Sequence, residues 1–261
     1  MQGRSPWLIS DGSSASVQCQ NFEKANRDLP LPNGGKLGPV SGLRPFSFTM
    51  RHRRASQPSA GDLFMPDPLY LSLWFPSFDA EDMLQRALTV MQQFPFSAQR
   101  PGITYLALHP VSWEEPTILE RRFRPGIAPE EAVAIAFDLL HEDFAYLFEA
   151  FWDLWILTED GKQWALQPVQ VKFMVHGLEF DEGMHHEAGH IQVDFGLDTP
   201  FLHEGVTLTA DAETKVRTNV QQLVEFTTQV EKNSGASARL LWSESEENFA
   251  QKLIARLQRV Q

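Results

Sequence analysis

The sequence predicts an α+β protein: a ferredoxin-like β-α-β-β-α-β half, then a second α+β half with a β-hairpin, all preceded by a disordered N-terminal tail. Three observations predict it. Between residues 69 and 157, short aromatic and aliphatic runs alternate with amphipathic stretches in the order strand, helix, strand, strand, helix, strand, the split βαβ pattern. Beyond residue 160, two runs with an apolar residue at every second position flank a polar loop, as half-buried hairpin strands do. Residues 1–64 sustain neither period and are rich in Ser, Gly, Pro, Asn and Gln. The expected organisation is therefore a tail over 1–64, a ferredoxin-like half over 65–158 and a second half over 159–261, the two halves either separate or sharing one sheet. Met50 and Met65 both read as alternative starts, which would make the tail an untranslated extension.

Each element has a local reason. Leu69 to Phe75 is a short apolar strand, and Ser77 or Asp79 then caps a helix with acids in its first turn. Met83, Leu84, Ala87, Leu88 and Met91 mark its buried stripe. Arg100-Pro101-Gly102 turns the chain into a strand over Ile103–His109, and Thr117 to Phe123 forms the next, which Arg124-Pro125-Gly126 breaks. Pro129 suits a first helical turn and is followed by Glu130 and Glu131 at the positive end of the dipole. That helix is expected to run past Leu140 and to carry His141 near its end. The aromatic run Phe144, Tyr146, Phe148, Phe151, Trp152 and Trp155 reads as a helix passing into a strand over Phe151–Leu157 inside the core, with an exposed aromatic surface that binds a partner or closes a dimer as the alternative. Asp160-Gly161 is a hairpin turn. Val169, Val171, Phe173 and Val175 alternate with polar positions, as do Ile191, Val193, Phe195 and Leu197. Asp211 opens a helix with Val216, Val220, Leu223, Val224 and Val230 on one face, Ala238–Trp242 is a strand, and Ser243 to Glu246 caps a last helix.

Charge narrows the function classes. Residues 1–64 carry 8 basic and 4 acidic side chains, net +4, whereas the other 197 carry 14 and 30, net −16. A body this acidic repels phosphate backbones, which argues against nucleic acid and toward a basic protein or a small ligand as partner. No segment is apolar over the ~20 residues that a membrane helix needs. The one cysteine, Cys19, lies in the tail, so the body has no thiol nucleophile and no intrachain disulfide; a reducing cytoplasm is the expected setting. The open strand edge of a ferredoxin-like sheet makes a homodimer one way of covering it.

One stretch suggests chemistry. His186-Glu187-Ala188-Gly189-His190 spells HExxH. On a helix, His186 and His190 would share a face and could ligate one Zn²⁺, with Glu187 as general base and Asp194 or Glu204 as third protein ligand. The pentapeptide resembles the zinc motif of membrane-anchored AAA proteases. The resemblance covers these five residues alone, with no GxxxxGK[ST] nearby, and carries no property of that family to this chain. The flanks point to a hairpin instead: Gly183 and Gly189 each cost a helix ~1 kcal/mol against Ala. In an extended segment His186 and His190 would stand about 13 Å apart, too far to share an ion. Five of the eight histidines (His176, His185, His186, His190 and His203) fall within 28 residues, mixed with acids, which also suits a pH-responsive loop. The leading expectation is a non-enzymatic binding or protein-interaction module without a cofactor. The alternative is a zinc-dependent hydrolase built on residues 186–190.

Overall fold

The computed structural model describes residues 66–158, 161, 163–203, 207–243 and 252–253. The tail, Glu204, all of the expected capping box beyond Ser243 and most of the expected last helix fall outside the described residues. In chain order the elements are β1 (Pro68–Trp74), α1 (Ala80–Met91), β2 (Ile103–Pro110), β3 (Leu119–Ile127), α2 (Pro129–Phe137), β4 (Phe144–Leu157), β5 (Trp164–His176), α3 (His185–Ala188), β6 (Ile191–Leu197), α4 (Thr199–Leu202), α5 (Ala210–Asn233) and β7 (Ala238–Ser243). Among the described residues no helix is long and apolar enough to cross a membrane.

The strands form one antiparallel sheet in the order β3-β2-β4-β5-β6-β1-β7. The protein is α+β, as the sequence predicts, but the ferredoxin-like pairing of its first half is not what these elements form. In a split βαβ half, the first strand pairs inside the half. Here β1 lies between β6 and β7, with Leu71 opposite Val193 on one side and Leu241 on the other. Element order is a local property, whereas pairing is decided by which distant strand completes the sheet. Sequences 65–158 and 159–261 therefore share a single sheet.

The aromatic run is the second correction. Phe144 to Leu157 is one strand of 14 residues, with no helix at its start. Tyr146, Phe148, Ala150, Trp152 and Leu154 point to one face and are buried. Ala145 and Phe151 on the other face are also buried, which hides the period-two signal in the sequence. Likewise α2 ends at Phe137, so His141 sits in the turn before β4 rather than in a helix, and β3 continues through Pro125 to Ile127.

The helices cover one face. Residues Leu69, Leu71 and Leu73 of β1, Val171, Phe173 and Val175 of β5, and Ile191, Val193 and Phe195 of β6 meet Met83, Leu84, Val90 and Met91 of α1 and Val220, Leu223, Phe226 and Val230 of α5. Phe94 is the hub: its ring lies 5.6 Å from Trp152, 5.2 Å from Phe173 and 5.5 Å from Phe226. Each such side chain contributes roughly 1.5–3 kcal/mol on burial. The caps are local: the Asp79 carboxylate accepts from the Asp82 N–H at 3.1 Å, and the Thr209 hydroxyl from that of Ala212 at 3.3 Å.

Strand β4 outruns β2, which pairs with it only up to Glu149. Its remaining backbone needs other partners. Phe151 O accepts from the Ser97 N–H. Asn219, fully buried on α5, accepts from Trp155 N–H and donates to Trp155 O and Pro200 O, each at 2.9 Å. One amide thus fastens α5 to the sheet edge. Asn219→Ala leaves a buried N–H and two carbonyls short of a partner and should cost roughly 2–4 kcal/mol, read as a lower urea midpoint with an unchanged m-value. A loss under ~0.5 kcal/mol would show that the amide does not hold this edge.

Candidate functional site

Among the described residues, the other face of the sheet carries no second apolar layer. Glu149, Lys172 and Asp194 stand in line across β4, β5 and β6, with Lys172 Nζ 3.9 Å from Asp194. Met174 and Leu147 are half-buried beside them. Toward β7, Tyr70 packs on Trp242 at 4.8 Å, and the indole N–H of Trp242 donates to Ser72 Oγ. Toward β3, the Tyr105 hydroxyl donates to Glu120 and Arg122 lies over the Tyr105 ring at 4.8 Å. Burial and the Glu120 carboxylate push the Tyr105 phenol up to about 12. It is a surface of paired polar groups and half-exposed aromatics.

At one end of this face, the connection from β5 to β6 folds back over the sheet. It opens with a 3-10 turn at Phe180–Glu182 and continues as the single helical turn α3. Asp181 and Glu182 hold φ of 47° and 55°, and Val111, in the loop after β2, holds φ of 61°. For a β-branched residue that conformation costs on the order of 1–3 kcal/mol. The strain is pinned by two backbone bonds: Val111 N–H donates to Asp143 O at 2.8 Å, and Val111 O accepts from the Asp181 N–H at 2.7 Å. Three strained residues from two loops thus meet at one place.

The HExxH residues lie within this connection but do not share a helix. His186 and Glu187 are in α3, and both are exposed. Gly189 ends the turn at φ 94° and ψ 156°. A Cβ there would sit 2.9 Å from Leu73 N and 3.0 Å from Leu73 O, so glycine is required both by φ and by the close pass against β1. His190 follows as the residue before β6. Asp194 lies on β6 opposite Lys172 and accepts from the Gly196 N–H at 2.8 Å. Glu204 is outside the described residues. Among the described residues no three His, Cys, Asp or Glu side chains come together in a way that could hold a metal ion.

What the connection does assemble is a set of imidazoles. His190 stacks on Phe78 at 4.5 Å and on His185 at 5.0 Å, and His185 lies 4.0 Å from His186. His190 Nδ1 accepts from the Phe75 N–H at 2.9 Å, which only an unprotonated nitrogen can do. Burial, then the neighbouring His185, His186 and His176, push His190 down to about 4. His176, the last residue of β5, is fully buried. Its Nδ1 lies 2.8 Å from Gly189 O, and a carbonyl only accepts, so Nδ1 carries the proton. Nε2 of the neutral ring is then a bare acceptor, and it has no hydrogen-bond partner. Burial lowers the His176 pKa, and burial with His186 lowers that of His185. His185 Nδ1 is buried without a partner as well, while the His185 carbonyl accepts from the Trp74 indole at 3.1 Å.

Sequence reasoning placed His176, His185, His186 and His190 in one cluster but passed over His109, Trp113 and Met184. His109 and His176 flank Ala145 across three adjacent strands and so share the open face. The Trp113 ring lies 4.7 Å from His109 and 6.0 Å from His176, and its N–H donates to Met184 Sδ at 3.1 Å. The alternation of β2 and β5 puts each histidine on the polar face; that they face each other across Ala145 needs the register. His203 lies apart from this cluster, against Trp164 at 4.9 Å.

The depressed imidazole pKa values set a pH dependence. A group whose folded pKa lies below its unfolded value stabilises the fold fully above the unfolded pKa and loses that stabilisation as pH falls toward the folded one. Here the window runs from 6.5 down to about 4. Stability of the wild type should fall across it. In His190→Asn, whose side-chain oxygen still accepts from Phe75 N–H, the fall should be shallower even if the variant is weaker at pH 8. Equal slopes for both proteins in urea melts from pH 4 to 8 would show that His190 does not titrate as its surroundings dictate.

Comparison of this chain with protein-family models, with curated protein sequences and with solved structures gave no match in any of the three.

Proposed function

We propose that this chain is a non-enzymatic binding module that takes a basic protein partner on the open face of its sheet. One observation carries the reading: a wide sheet face lined by half-exposed aromatic and polar side chains, bordered by loops that hold strained backbone. Strain persists where the surroundings enforce it, and it concentrates where a protein engages ligands. The charge supports the choice of partner. The face shows Glu120, Glu149, Asp153 and Asp194 against Arg122, Lys172 and Arg100, the last lying over Phe151, on a body of net −16. Such a field speeds association with a cationic surface and opposes nucleic acid.

A photoreactive residue in place of Met174, at the centre of the face, should crosslink one basic protein in native extract. The same group in place of Gln85 on α1 should not. Glu149→Lys should abolish the crosslink, and raising the salt from 50 to about 500 mM should weaken it severalfold. Equal crosslinking at both positions, or none at Met174, would overturn the proposal; a small molecule found bound in native mass spectrometry with no crosslink would move it from protein to small ligand.

The alternative is the zinc-dependent hydrolase, with His186 and His190 as ligands, Glu187 as base and Asp194 or Glu204 completing the set. It has in its favour the pentapeptide and the crowding of imidazoles. The break at Gly189 and the Asp194–Lys172 pairing lend it no support. Elemental analysis separates the two readings: stoichiometric zinc that is lost in His186→Ala, together with peptidase or esterase turnover, would replace the binding module by the hydrolase.

A further inference from the structure

We propose that β3, the strand at one edge of the sheet, docks an extended acidic segment of another protein, which adds to the sheet beside Arg121, Arg122 and Arg124. The site does not depend on the partner proposed for the centre of the open face.

The first support is the edge itself. Among the described residues β3 pairs with β2 alone, and no backbone group of residues 119–124 bonds outside that ladder. An edge strand turns the N–H and C=O of every second residue outward, and those groups are what an added strand pairs with. Glu120, Arg121, Arg122, Arg124 and Pro125 are all exposed. Pro125 has no N–H to offer, so the stretch open to pairing ends at Arg124. The second support is charge. Strand β3 holds three arginines and one acid, net +2, on a body of net −16. Among the described residues no carboxylate forms an ion pair with Arg121, Arg122 or Arg124. The one acid, Glu120, accepts from the Tyr105 hydroxyl and is thus engaged on β2. Arg122 lies over the Tyr105 ring at 4.8 Å, and Arg121 and Arg124 are left for an outside carboxylate.

The register decides what fits. Arg122 stands opposite Tyr105 and Arg121 opposite Leu106, so the two point to opposite faces of the sheet. Acids at successive positions of an added strand therefore meet a guanidinium on each face. Glu114 and Glu115 precede β3, and Glu130 and Glu131 follow it, which limits the match to a short acidic run. Glu149 lies two strands away on β4, roughly 10 Å by strand spacing. That is about a Debye length at physiological salt, so the acidic body is largely screened at this edge. Charge also selects among occupants. The N-terminal tail, net +4, is repelled. A second copy brings +2 against +2. In the antiparallel register that sets Glu120 against Arg122 of the second copy, Arg121 faces Arg121, and Glu120 is already held by Tyr105. At the opposite edge the arginine of β7, Arg239, is paired with Glu231 at 2.8 Å, so β7 offers no such charge.

The test uses the full chain and a fluorescent synthetic peptide with three consecutive glutamates between valine–threonine flanks. The peptide should bind with a Kd below about 1 mM, and hydrogen exchange should slow over residues 119–124. The same peptide with lysines in place of the glutamates should not bind. Arg121→Glu combined with Arg124→Glu, both at exposed positions, should weaken binding by about tenfold as two cross-strand attractions become repulsions, with the urea midpoint unchanged. Glu120→Gln, which raises the strand from +2 to +3, should tighten it. Methylating the peptide amides along one edge, each edge in turn, should abolish binding for one of the two. Absence of binding to the wild type would overturn the proposal. So would equal binding of both methylated peptides, which would make the arginines a charge patch for any polyanion. A wild type that sediments as a dimer, and as a monomer in Arg121→Glu, would put a second copy on the edge instead.

Discussion

The insertion of β1 between β6 and β7 is the constraint on which the rest of the molecule depends. Seven residues, Pro68 to Trp74, satisfy the backbone of two strands from the far end of the chain. Their inward leucines give the core its floor under α1 and α5. Without β1, β6 would become an edge strand and β7 would have no neighbour in the sheet. The same strand also sets the local geometry of the site. Gly189 passes against Leu73, the Trp74 indole holds the His185 carbonyl, and the Phe75 N–H reaches His190. The position of the imidazoles is thus a consequence of strand pairing more than of the sequence around them.

This explains what could be read from the chain and what could not. The long helices were legible: Asp79 caps α1 within its own first turn, and α5 carries an apolar stripe along one face, though its cap, Thr209, was not read from the sequence. The strands Val169–Val175 and Ile191–Leu197 were legible because one face of each is wet. Strand β4 was misread at its start because Ala145, Phe151 and the Tyr146–Leu154 row bury both faces, and a strand apolar on both sides has no period to detect. The ferredoxin-like reading failed for a different reason. The order of elements is encoded locally, but nothing near residue 70 announces that its partners are residues 191–197 and 238–243.

The HExxH pentapeptide shows how far spacing alone carries. Two histidines four apart share a helical face only if the residues between them stay helical, and Gly189 is chosen by the opposite demand. Its positive φ and its contact with the Leu73 backbone end the turn. Once the helix stops, His190 is taken by Phe75 and Phe78, and His186 is left at the surface. The crowding of histidines was a sound signal that this connection is unusual, but the described histidines left with bare buried nitrogens are His109, His176 and His185, not the pair that the motif nominates.

The bare nitrogen of His176 follows from its tautomer. A ring that donates through Nδ1 to a carbonyl presents a lone pair at Nε2 as long as it stays neutral, and complete burial shifts its pKa down, toward the neutral form. Burying an acceptor without a partner is a cost that the sheet register could have avoided, since an apolar residue at position 176 would pack against Trp113 and Phe180 without it. The same holds for the strained Val111, whose two backbone bonds tie the loop after β2 to the β5–β6 connection. Both costs fall at the end of the open face, and the two bonds of Val111 tie the loop that carries Trp113 to the turn before β4 and to the β5–β6 connection.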